Sequence, residues 1–423
     1  MSLVLLCVFL PMVFLATMKE KRIDSPLVLF TGIWGVISFL SSLRLYGLNA
    51  VSYRIYIMIF LGTFSFFLGG LLLSGKTVIN FQGIERNEIR LSKCMRMLQV
   101  LALISFIVST LSAIKLIRSG ASMSEIYNMR IQMAYGSTTA LSSNSSAQSI
   151  LLEYFARPVL ALSIPYSIIS FLRYREKVSI ILTLIMLALS FINRGNRLDI
   201  LCFLLTFIFS VRLLSVDFHL SKRQKRNIFL GIVFGVVLLN WLSSMRGKFD
   251  MWRTAYSYLC GNVPFSDLKI KDLGDSFPHT IIATSYQGVL RFFNQVLEAL
   301  GVNGIEIINI AQDYADVETA VSITSSDGLF NAFIGPFYYF YCDAGWLGII
   351  LFSFINGCIA EHIYQEAFSS EDIIIKLLYL IILVRGVILS FYNYLLASIV
   401  YGMAIVILFI LGKITKNRNR RLL

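Results

Sequence analysis

Arginine side chains at unusual positions are the residues of this sequence best suited to chemistry. Arg194 and Arg197 flank Gly195 in a short turn between two apolar segments, Arg246 follows a third segment, and Arg385 lies within a fourth. Ionisable side chains at such positions are costly and usually face a polar cavity. Since the planar guanidinium group binds oxyanions through two parallel hydrogen bonds, these arginines predict a site for a diphosphate or a carboxylate.

Three further cations extend this pattern, and each has a plainer alternative. Lys248 and Arg253 follow one apolar segment, and Arg157 lies one or two turns into another. Arg157 follows Glu153 by four residues, which is also the spacing of an ion pair within one helix. Arg253, like the two arginines of the short turn, could instead extend toward phospholipid head groups.

Common catalytic and metal-binding patterns are absent from the sequence. It contains no Ser/His/Asp order, zinc-ligand spacing, phosphate-binding loop or dinucleotide fingerprint. No metal or other cofactor is therefore expected. Of the six cysteines, only Cys260 and Cys342 are expected to meet outside the membrane, so a disulfide between them is the one bridge to consider.

The composition indicates a membrane protein built of helices. Of the 423 residues, 57% are hydrophobic and only 14% are charged, whereas a soluble domain has about 25% charged residues. The apolar residues form separate runs about as long as a bilayer is thick, and they do not alternate as the strands of a barrel do. The net charge of +13 is spread over many short loops, which argues against nucleic-acid binding and favours membrane lipid or an anionic substrate.

Eleven apolar segments are candidates for membrane spans. They are 3–15, 26–43, 56–73, 97–117, 150–172, 178–192, 198–216, 228–245, 336–359, 373–389 and 397–412. The first resembles the core of a signal peptide but lacks a basic start and a clear cleavage site, so we interpret it as a short helix. The expected organisation is eight spans in 1–245, a large loop in 246–335, three spans in 336–412 and a basic tail in 413–423.

The basic clusters predict the orientation of these spans. If the C-terminal tail is cytoplasmic, the clusters in 19–22, 76–96, 173–177 and 222–226 all fall on the cytoplasmic side as well. The loop 246–335, the turn 193–197 and the N-terminus then lie outside. The arginines of that turn are thus on the side where basic residues are less frequent.

Two segments of the outer loop resemble the bacterial oligosaccharide repeat-unit polymerases, the Wzy-type O-antigen polymerases. The sequence of 326–348 is SDGLFNAFIGPFYYFYCDAGWLG, with an Asn and aromatic residues, then Phe-Tyr, then an Asp-x-Gly triplet and a further Gly. Ala344 stands in that triplet where members often have an aromatic residue. The sequence YLCGNVPF in 258–265 is similar to the opening of the family's large loop, and 193–197 is similar to its Arg-Gly-x-Arg turn.

The resemblance implies a membrane-embedded glycosyltransferase of GT-C-like architecture in the bacterial inner membrane. Such an enzyme transfers a growing glycan from undecaprenyl diphosphate to a new lipid-linked repeat unit, without nucleotide sugar or metal. It works at the outer face and makes O-antigen or capsule, and a chain-length regulator protein is a further candidate partner.

This chemistry suggests roles for the residues. Without a metal, fixed cations must stabilise the departing diphosphate, a role expected for the four arginines named first, with Lys248 in support. The attacking hydroxyl needs a general base, and Asp343, Asp250 and His279 are the candidates. Aromatic side chains such as Tyr258 and Tyr338 suit a sugar, although they also suit an ordinary folded loop.

Two other functions stay open. A flippase or transporter of lipid-linked oligosaccharides would also use cations facing a cavity, with charges deep within several helices and a smaller outer loop. A related O-antigen ligase would carry the finished glycan to another acceptor. The clustering of unusual charges at the outer face favours an enzyme.

Overall fold

The chain is an all-α protein in the part that the structure describes. The computed structural model describes residues 2–74, 88–118, 150–194, 197–214, 251–274, 277–302, 304–315, 321–324, 329–330 and 333–416. Within these ranges the strands are limited to an antiparallel pair of two residues each, β1 (Val321–Ser322) and β2 (Leu329–Phe330). The prediction of an all-helical fold is confirmed at this level.

The structure describes fourteen α-helices, numbered here in chain order. They are α1 (Ser2–Glu20), α2 (Pro26–Ser42), α3 (Tyr53–Leu73), α4 (Glu88–Arg118), α5 (Arg157–Tyr174), α6 (Lys177–Arg194), α7 (Leu198–Leu214), α8 (Met251–Cys260), α9 (Asn262–Leu273), α10 (Gln287–Ala299), α11 (Glu306–Ala315), α12 (Pro336–Ser369), α13 (Ile373–Ile381) and α14 (Ile399–Ile414). Two π-helical segments, Leu152–Ala156 and Ile382–Ile388, adjoin α5 and α13.

Four of the described helical stretches are long and apolar enough to cross a membrane. They are Tyr53–Leu73, Glu88–Leu111, Leu152–Tyr174 and Pro336–Ser369. Shorter apolar helices occupy Pro26–Ser42, Lys177–Asn193 and Ile399–Ile414. Ten of the predicted apolar segments coincide with helices, and the eleventh, 228–245, lies outside the described residues.

Local sequence explains where helix α2 begins. The Ser25 hydroxyl accepts a hydrogen bond from the Val28 amide at 3.2 Å, which satisfies one of the amides left without a partner at a helix start. Pro26 follows at the first helical position, where its missing N–H costs nothing. The serine and proline together therefore fix the first turn.

The chain divides into two compact units. Unit 1 holds the described residues within 1–82, 250–371 and 382–402, and unit 2 holds those within 83–249, 372–381 and 403–423. In unit 2, α4 packs on α6, and α5 packs on α6, α7 and α13. Phe106, Ile168 and Met186 are fully buried there, and the Gln99 amide donates to the Ser179 hydroxyl at 2.9 Å.

Unit 1 is built around a close contact between α3 and α12. A Cβ at Gly69 would lie 2.1 Å from the Phe354 carbonyl oxygen, and one at Gly357 would lie 2.1 Å from the Phe66 carbonyl oxygen. The two helices therefore approach at glycines, as small residues allow between membrane helices. Any larger residue at either position would push the backbones apart.

The described part of the loop predicted for 246–335 consists of short helices. Helices α8 to α11 contain 10 to 13 residues each, which is too short to cross a bilayer. Asp267 connects one of them, α9, to the start of α3. Its Oδ2 accepts from the Ser52 amide at 3.1 Å and from Lys271 Nζ at 2.7 Å, so α9 holds the residue that precedes α3.

Candidate functional site

Helix α12 is broken near its N-terminal end, within the segment that the sequence predicted as one continuous helix. Ala344 has φ −152° and ψ 31°, and Gly345 has φ 59° and ψ −142°. Residues with a side chain hardly ever adopt the second conformation, so the break requires glycine. A break also leaves carbonyl groups of the preceding turn without their helical partners.

The segment 277–286, which we call the clasp segment, supplies those partners. The Thr280 amide donates to the Cys342 carbonyl at 3.2 Å, and the Ile281 amide donates to the Asp343 carbonyl at 2.8 Å. Ile281 itself has φ 63°, an uncommon value for a β-branched residue. The contacts at the break thus hold the clasp segment in a strained conformation.

The Asp343 side chain completes this connection. Its Oδ1 accepts from the Thr280 hydroxyl at 2.7 Å and from the Thr284 amide at 2.9 Å, and its Oδ2 accepts from the Ser285 amide at 3.0 Å. The residue is 0% exposed. Three donors satisfy an ionised carboxylate well, so this geometry gives Asp343 a positioning role, while its role as a general base stays a prediction.

The clasp segment has an electrostatic environment that follows from this carboxylate. Burial raises the pKa of the Tyr286 phenol, and the nearby Asp343 charge raises it further. A neutral phenol at the end of the clasp segment is therefore the stable form at ordinary pH. Tyr286 can serve there as a hydrogen-bond donor but not as a base.

His279 lies beside the break and is exposed. Its Nδ1 is 3.4 Å from the Cys342 carbonyl oxygen, and a Cβ at Gly345 would lie 3.4 Å from the ring. The Phe277 ring packs edge-on against it at a centroid distance of 4.8 Å. The histidine is thus oriented by its neighbours while its ring stays accessible, as a general base requires.

An arginine that the sequence analysis did not select joins this group. The Arg54 guanidinium donates a hydrogen bond to the Tyr341 hydroxyl. It lies 5.1 Å from the centre of the Tyr341 ring and 5.9 Å from that of Trp346. Phe277 contacts the same Tyr341 ring at 5.5 Å. We refer to Arg54, Phe277, His279, Tyr341 and Trp346 as the Arg54–His279 cluster.

A second group in unit 1 brings together two residues predicted for the site, Tyr258 and Arg385. Tyr258 packs on Phe333 at 5.1 Å, and Phe333 packs on Tyr392 at 4.3 Å. The Arg385 guanidinium lies 5.4 Å from the centre of the Tyr392 ring and 4.5 Å from that of Tyr401. Arg385 is only 3% exposed, so its charge is held among aromatic faces inside the unit.

Tyr338 has a structural contact that the sequence did not indicate. It is 3% exposed, and its hydroxyl donates to the Tyr314 carbonyl at 3.2 Å. The Tyr314 hydroxyl in turn donates to the Pro278 carbonyl at 3.2 Å. These two bonds connect α12, α11 and the clasp segment. Substrate binding by Tyr338 stays a prediction, since its hydroxyl is occupied within the protein.

Three of the predicted arginines, Arg157, Arg194 and Arg197, lie in unit 2. Arg157 Nη1 lies 2.5 Å from Glu153 Oε2, so the ion pair expected from their spacing is present. Arg194 is the last residue of α6. Arg197, half-buried, precedes α7. The contacts made by Arg194 and the conformation of 195–196 lie outside what the structure describes.

Of the remaining predicted residues, one is described by the structure and three are not. Arg253 lies in α8 and is half-buried. Arg246, Lys248 and Asp250 fall outside the described residues. Among the residues that are described, no group of three or more His, Cys, Asp and Glu side chains could hold a metal ion.

The disulfide considered between Cys260 and Cys342 is absent, which corrects that prediction. All six cysteines are free, and both of these are buried. Burial raises the pKa of the Cys260 thiol to about 12, so the unreactive thiol form prevails. Cys342 lies in the turn that precedes the break in α12, where its carbonyl accepts from the clasp segment.

Comparison with protein-family models, with curated proteins and with solved structures found no match to this chain. The site is therefore defined by its own geometry. One signal could have identified Arg54 from the sequence, because it lies at the end of an apolar segment on the predicted outer side, as the selected arginines do. Its aromatic neighbours Tyr341 and Trp346 are far away in sequence, so the cluster itself could not be foreseen.

Proposed function

We propose that the chain is a membrane-embedded glycosyltransferase that polymerises oligosaccharide repeat units carried on undecaprenyl diphosphate. The product would be a bacterial surface polysaccharide, O-antigen or capsule. The reaction joins the sugar at the reducing end of one chain to a hydroxyl of the next unit, and undecaprenyl diphosphate leaves. Neither a nucleotide sugar nor a metal takes part.

The observation that supports this proposal is the Arg54–His279 cluster. It combines a fixed guanidinium group, aromatic faces and an accessible imidazole within one unit. Aromatic faces bind the apolar side of sugar rings, an arginine binds oxyanions, and a histidine can accept a proton from a hydroxyl. These are the three functions that transfer from a lipid diphosphate needs.

The same geometry ranks the candidates for the general base. His279 is exposed, whereas Asp343 is fully buried and bonded to three donors of the clasp segment. We assign proton abstraction to His279 and positioning of His279 to Asp343. Asp250 stays a candidate from the sequence.

The diphosphate would be stabilised by arginines in this proposal. Arg54 is the described residue best placed for that role, since its guanidinium lies at the half-buried edge of the aromatic cluster. Arg194, Arg197, Arg246 and Arg385 keep the role that the sequence suggested, with Lys248, Arg253 and Arg157 as supporting cations. Arg385 would act through Tyr392, because it is buried against that ring.

The membrane organisation belongs to the same proposal. It comprises about eleven spans in the bacterial inner membrane, GT-C-like architecture, a cytoplasmic C-terminus and the 246–335 loop outside. A cysteine introduced at the exposed Leu300 into a cysteine-free variant should react with an impermeant reagent in intact cells. A cysteine at Lys413 should react only after the cells are opened, and the reverse pattern would overturn this orientation.

Reconstitution is the experiment that tests the proposed activity. The purified protein in liposomes should convert lipid-linked repeat units into a ladder of longer glycans, with release of undecaprenyl diphosphate and no need for nucleotide sugar. A protein-free liposome is the control. Failure to extend the units, with intact substrate recovered from properly folded protein, would contradict the proposal.

A flippase for lipid-linked oligosaccharides is the second candidate, and one observation favours it. Glu361 and Arg385 are almost completely buried in helices of unit 1, as ionisable groups in the path of a transporter often are. In a deletion strain, a missing polymerase leaves single repeat units at the outer face, whereas a missing flippase leaves them at the cytoplasmic face. The location of the accumulated units distinguishes the two functions.

A further inference from the structure

The C-terminal part of helix α12 contains a buried carboxyl group that is poor in donors. Glu361 is 1% exposed. Its Oε1 accepts one hydrogen bond, from Gln365 Nε2 at 3.0 Å. Its Oε2 is buried and has no hydrogen-bond partner among the residues that the structure describes. An ionised carboxylate in this position would carry one oxygen without any compensating donor, which is costly.

A second carboxyl group is held next to Glu361 by the end of helix α3. Gln365 Nε2 also donates to the Leu73 carbonyl at 3.0 Å. The next residue, Ser74, donates its hydroxyl to Glu20 Oε1. Through these bonds the Glu20 carboxyl group lies next to that of Glu361. The last residue of α1 and the C-terminal part of α12 thus meet through two carboxyl groups.

The charged groups that the structure describes nearby have other partners. Among the described residues, no lysine or arginine forms an ion pair with Glu20 or Glu361. Arg22, in the turn after α1, lies 4.4 Å from the centre of the Phe368 ring and bonds to Tyr364. The Asp24 carboxylate also lies near Tyr364. His362 faces Glu366 at 3.8 Å.

We propose that Glu20 and Glu361 form a proton-binding site in which the two carboxyl groups share one proton. Ionised carboxylates are acceptors only, so two of them cannot bond to each other, whereas a protonated one donates to its partner. The shared proton also provides the missing partner for Glu361 Oε2. It comes from the surrounding water when the two groups meet and returns there when they separate.

The proton would connect α1 to α12 and make that connection depend on pH. The bound proton stabilises the folded pair at low pH, and this stabilisation is lost as the pH rises and the proton leaves. Two carboxylates in contact would then repel each other. This inference is independent of the glycosyltransferase proposal, because it concerns other residues and a different ligand.

Infrared difference spectroscopy of the purified full-length protein tests the site. The wild type at neutral pH should show the C=O stretch of a protonated carboxylic acid. Glu361→Gln and Glu20→Gln should each lose it, because the glutamine amide donates to the remaining carboxylate in place of the proton. Asp343→Asn is the matched control on the same helix and should keep the band. Its absence in the wild type, or its presence in both glutamine variants, would overturn the proposal.

Thermal unfolding at several pH values gives the second measurement. The wild-type Tm should fall as the pH rises from mildly acidic to mildly alkaline, and Glu361→Gln should remove most of that fall. If Glu361→Gln does not fold, Glu20→Gln decides the same question. A wild-type Tm that rises at alkaline pH when sodium or calcium is added would show a cation site instead and would overturn the assignment to a proton.

Discussion

Helix α12 carries three buried carboxyl groups, and two of them, Asp343 and Glu361, are in opposite situations. Asp343 is 0% exposed and receives three hydrogen bonds from the clasp segment, while Glu361 is 1% exposed and receives one. Equal burial therefore does not mean equal hydrogen bonding. The number of donors around a carboxyl group, together with the neighbouring charge, decides whether the ionised form is stable.

The difference assigns distinct tasks to the two ends of the helix. A fully bonded Asp343 makes a fixed connection, and this connection holds His279 beside the break. A donor-poor Glu361 next to Glu20 makes a connection that depends on a proton. Substitutions that keep side-chain shape but change charge should therefore act very differently at the two positions.

The largest effect is expected when the charge is removed from Asp343. Asp343→Asn should lower the free energy of unfolding by about 2–5 kcal/mol, because it leaves buried donors without a charged acceptor. Glu361→Gln at neutral pH should cost less than about 1 kcal/mol, because the amide can both donate and accept. Chemical denaturation measures the free energy of unfolding of both variants. Equal destabilisation would mean that the two sites do not differ in the way proposed.

The next effect concerns the break itself. Gly345→Ala should cost roughly 1–3 kcal/mol, because alanine resists the conformation at 345, and the clasp segment should become more sensitive to protease. Gly274→Ala is the matched control. Gly274 has φ 71° and ψ −171°, and nothing lies within 4 Å of its potential Cβ.

The control variant separates backbone strain from loss of the clasp. Both alanines carry a similar strain, but only the one at 345 lies where α12 and the clasp segment meet. Increased cleavage of 277–286 in Gly345→Ala alone is the expected result. The same cleavage in both variants, or in neither, would mean that the break does not hold the clasp segment.

A smaller effect is expected from one donor of Asp343. Thr280→Val removes the hydroxyl that donates at 2.7 Å and should cost about 1 kcal/mol. Thr63→Val is the control, since the Thr63 hydroxyl is fully buried in α3 and has no hydrogen-bond partner in the described part of the chain. That variant should be neutral or slightly more stable. A loss of stability in Thr63→Val equal to that in Thr280→Val would show that the bond to Asp343 contributes nothing particular.

The sequence predicted the helices better than it predicted the site. Runs of apolar residues about as long as a bilayer is thick indicate helices directly. For this reason, segments such as 26–43 and 198–216 agree with α2 and α7 to within two residues. The break at Gly345 was missed because the hydrophobic run continues through it. A single glycine in an apolar segment is too common to indicate a φ of 59°.

The candidate site was only partly foreseen, and the reason is distance along the chain. His279 and Asp343 were identified by residue type, but their contact depends on the pairing of the clasp segment with the α12 break. Arg54 is 287 residues away from the Tyr341 hydroxyl to which it donates, and no local pattern joins them. The ion pair between Arg157 and Glu153 could be predicted because both residues lie on one helical face.

The central claim is that the chemistry takes place at the Arg54–His279 cluster, and rates of polymerisation by purified variants test it most directly. With lipid-linked repeat units as substrate, His279→Gln should lower the rate by about 10²–10⁴-fold. Arg54→Lys should also lower it clearly, since lysine lacks the planar fork.

Each of these variants has a control at the other end of the same unit. His362 is the partner of Glu366, and Arg22 also lies over an aromatic ring, so His362→Gln and Arg22→Lys should keep near-normal rates. The account expects losses in the first pair of variants and none in the second, with all four proteins folded. Near-normal polymerisation by both His279→Gln and Arg54→Lys would contradict it.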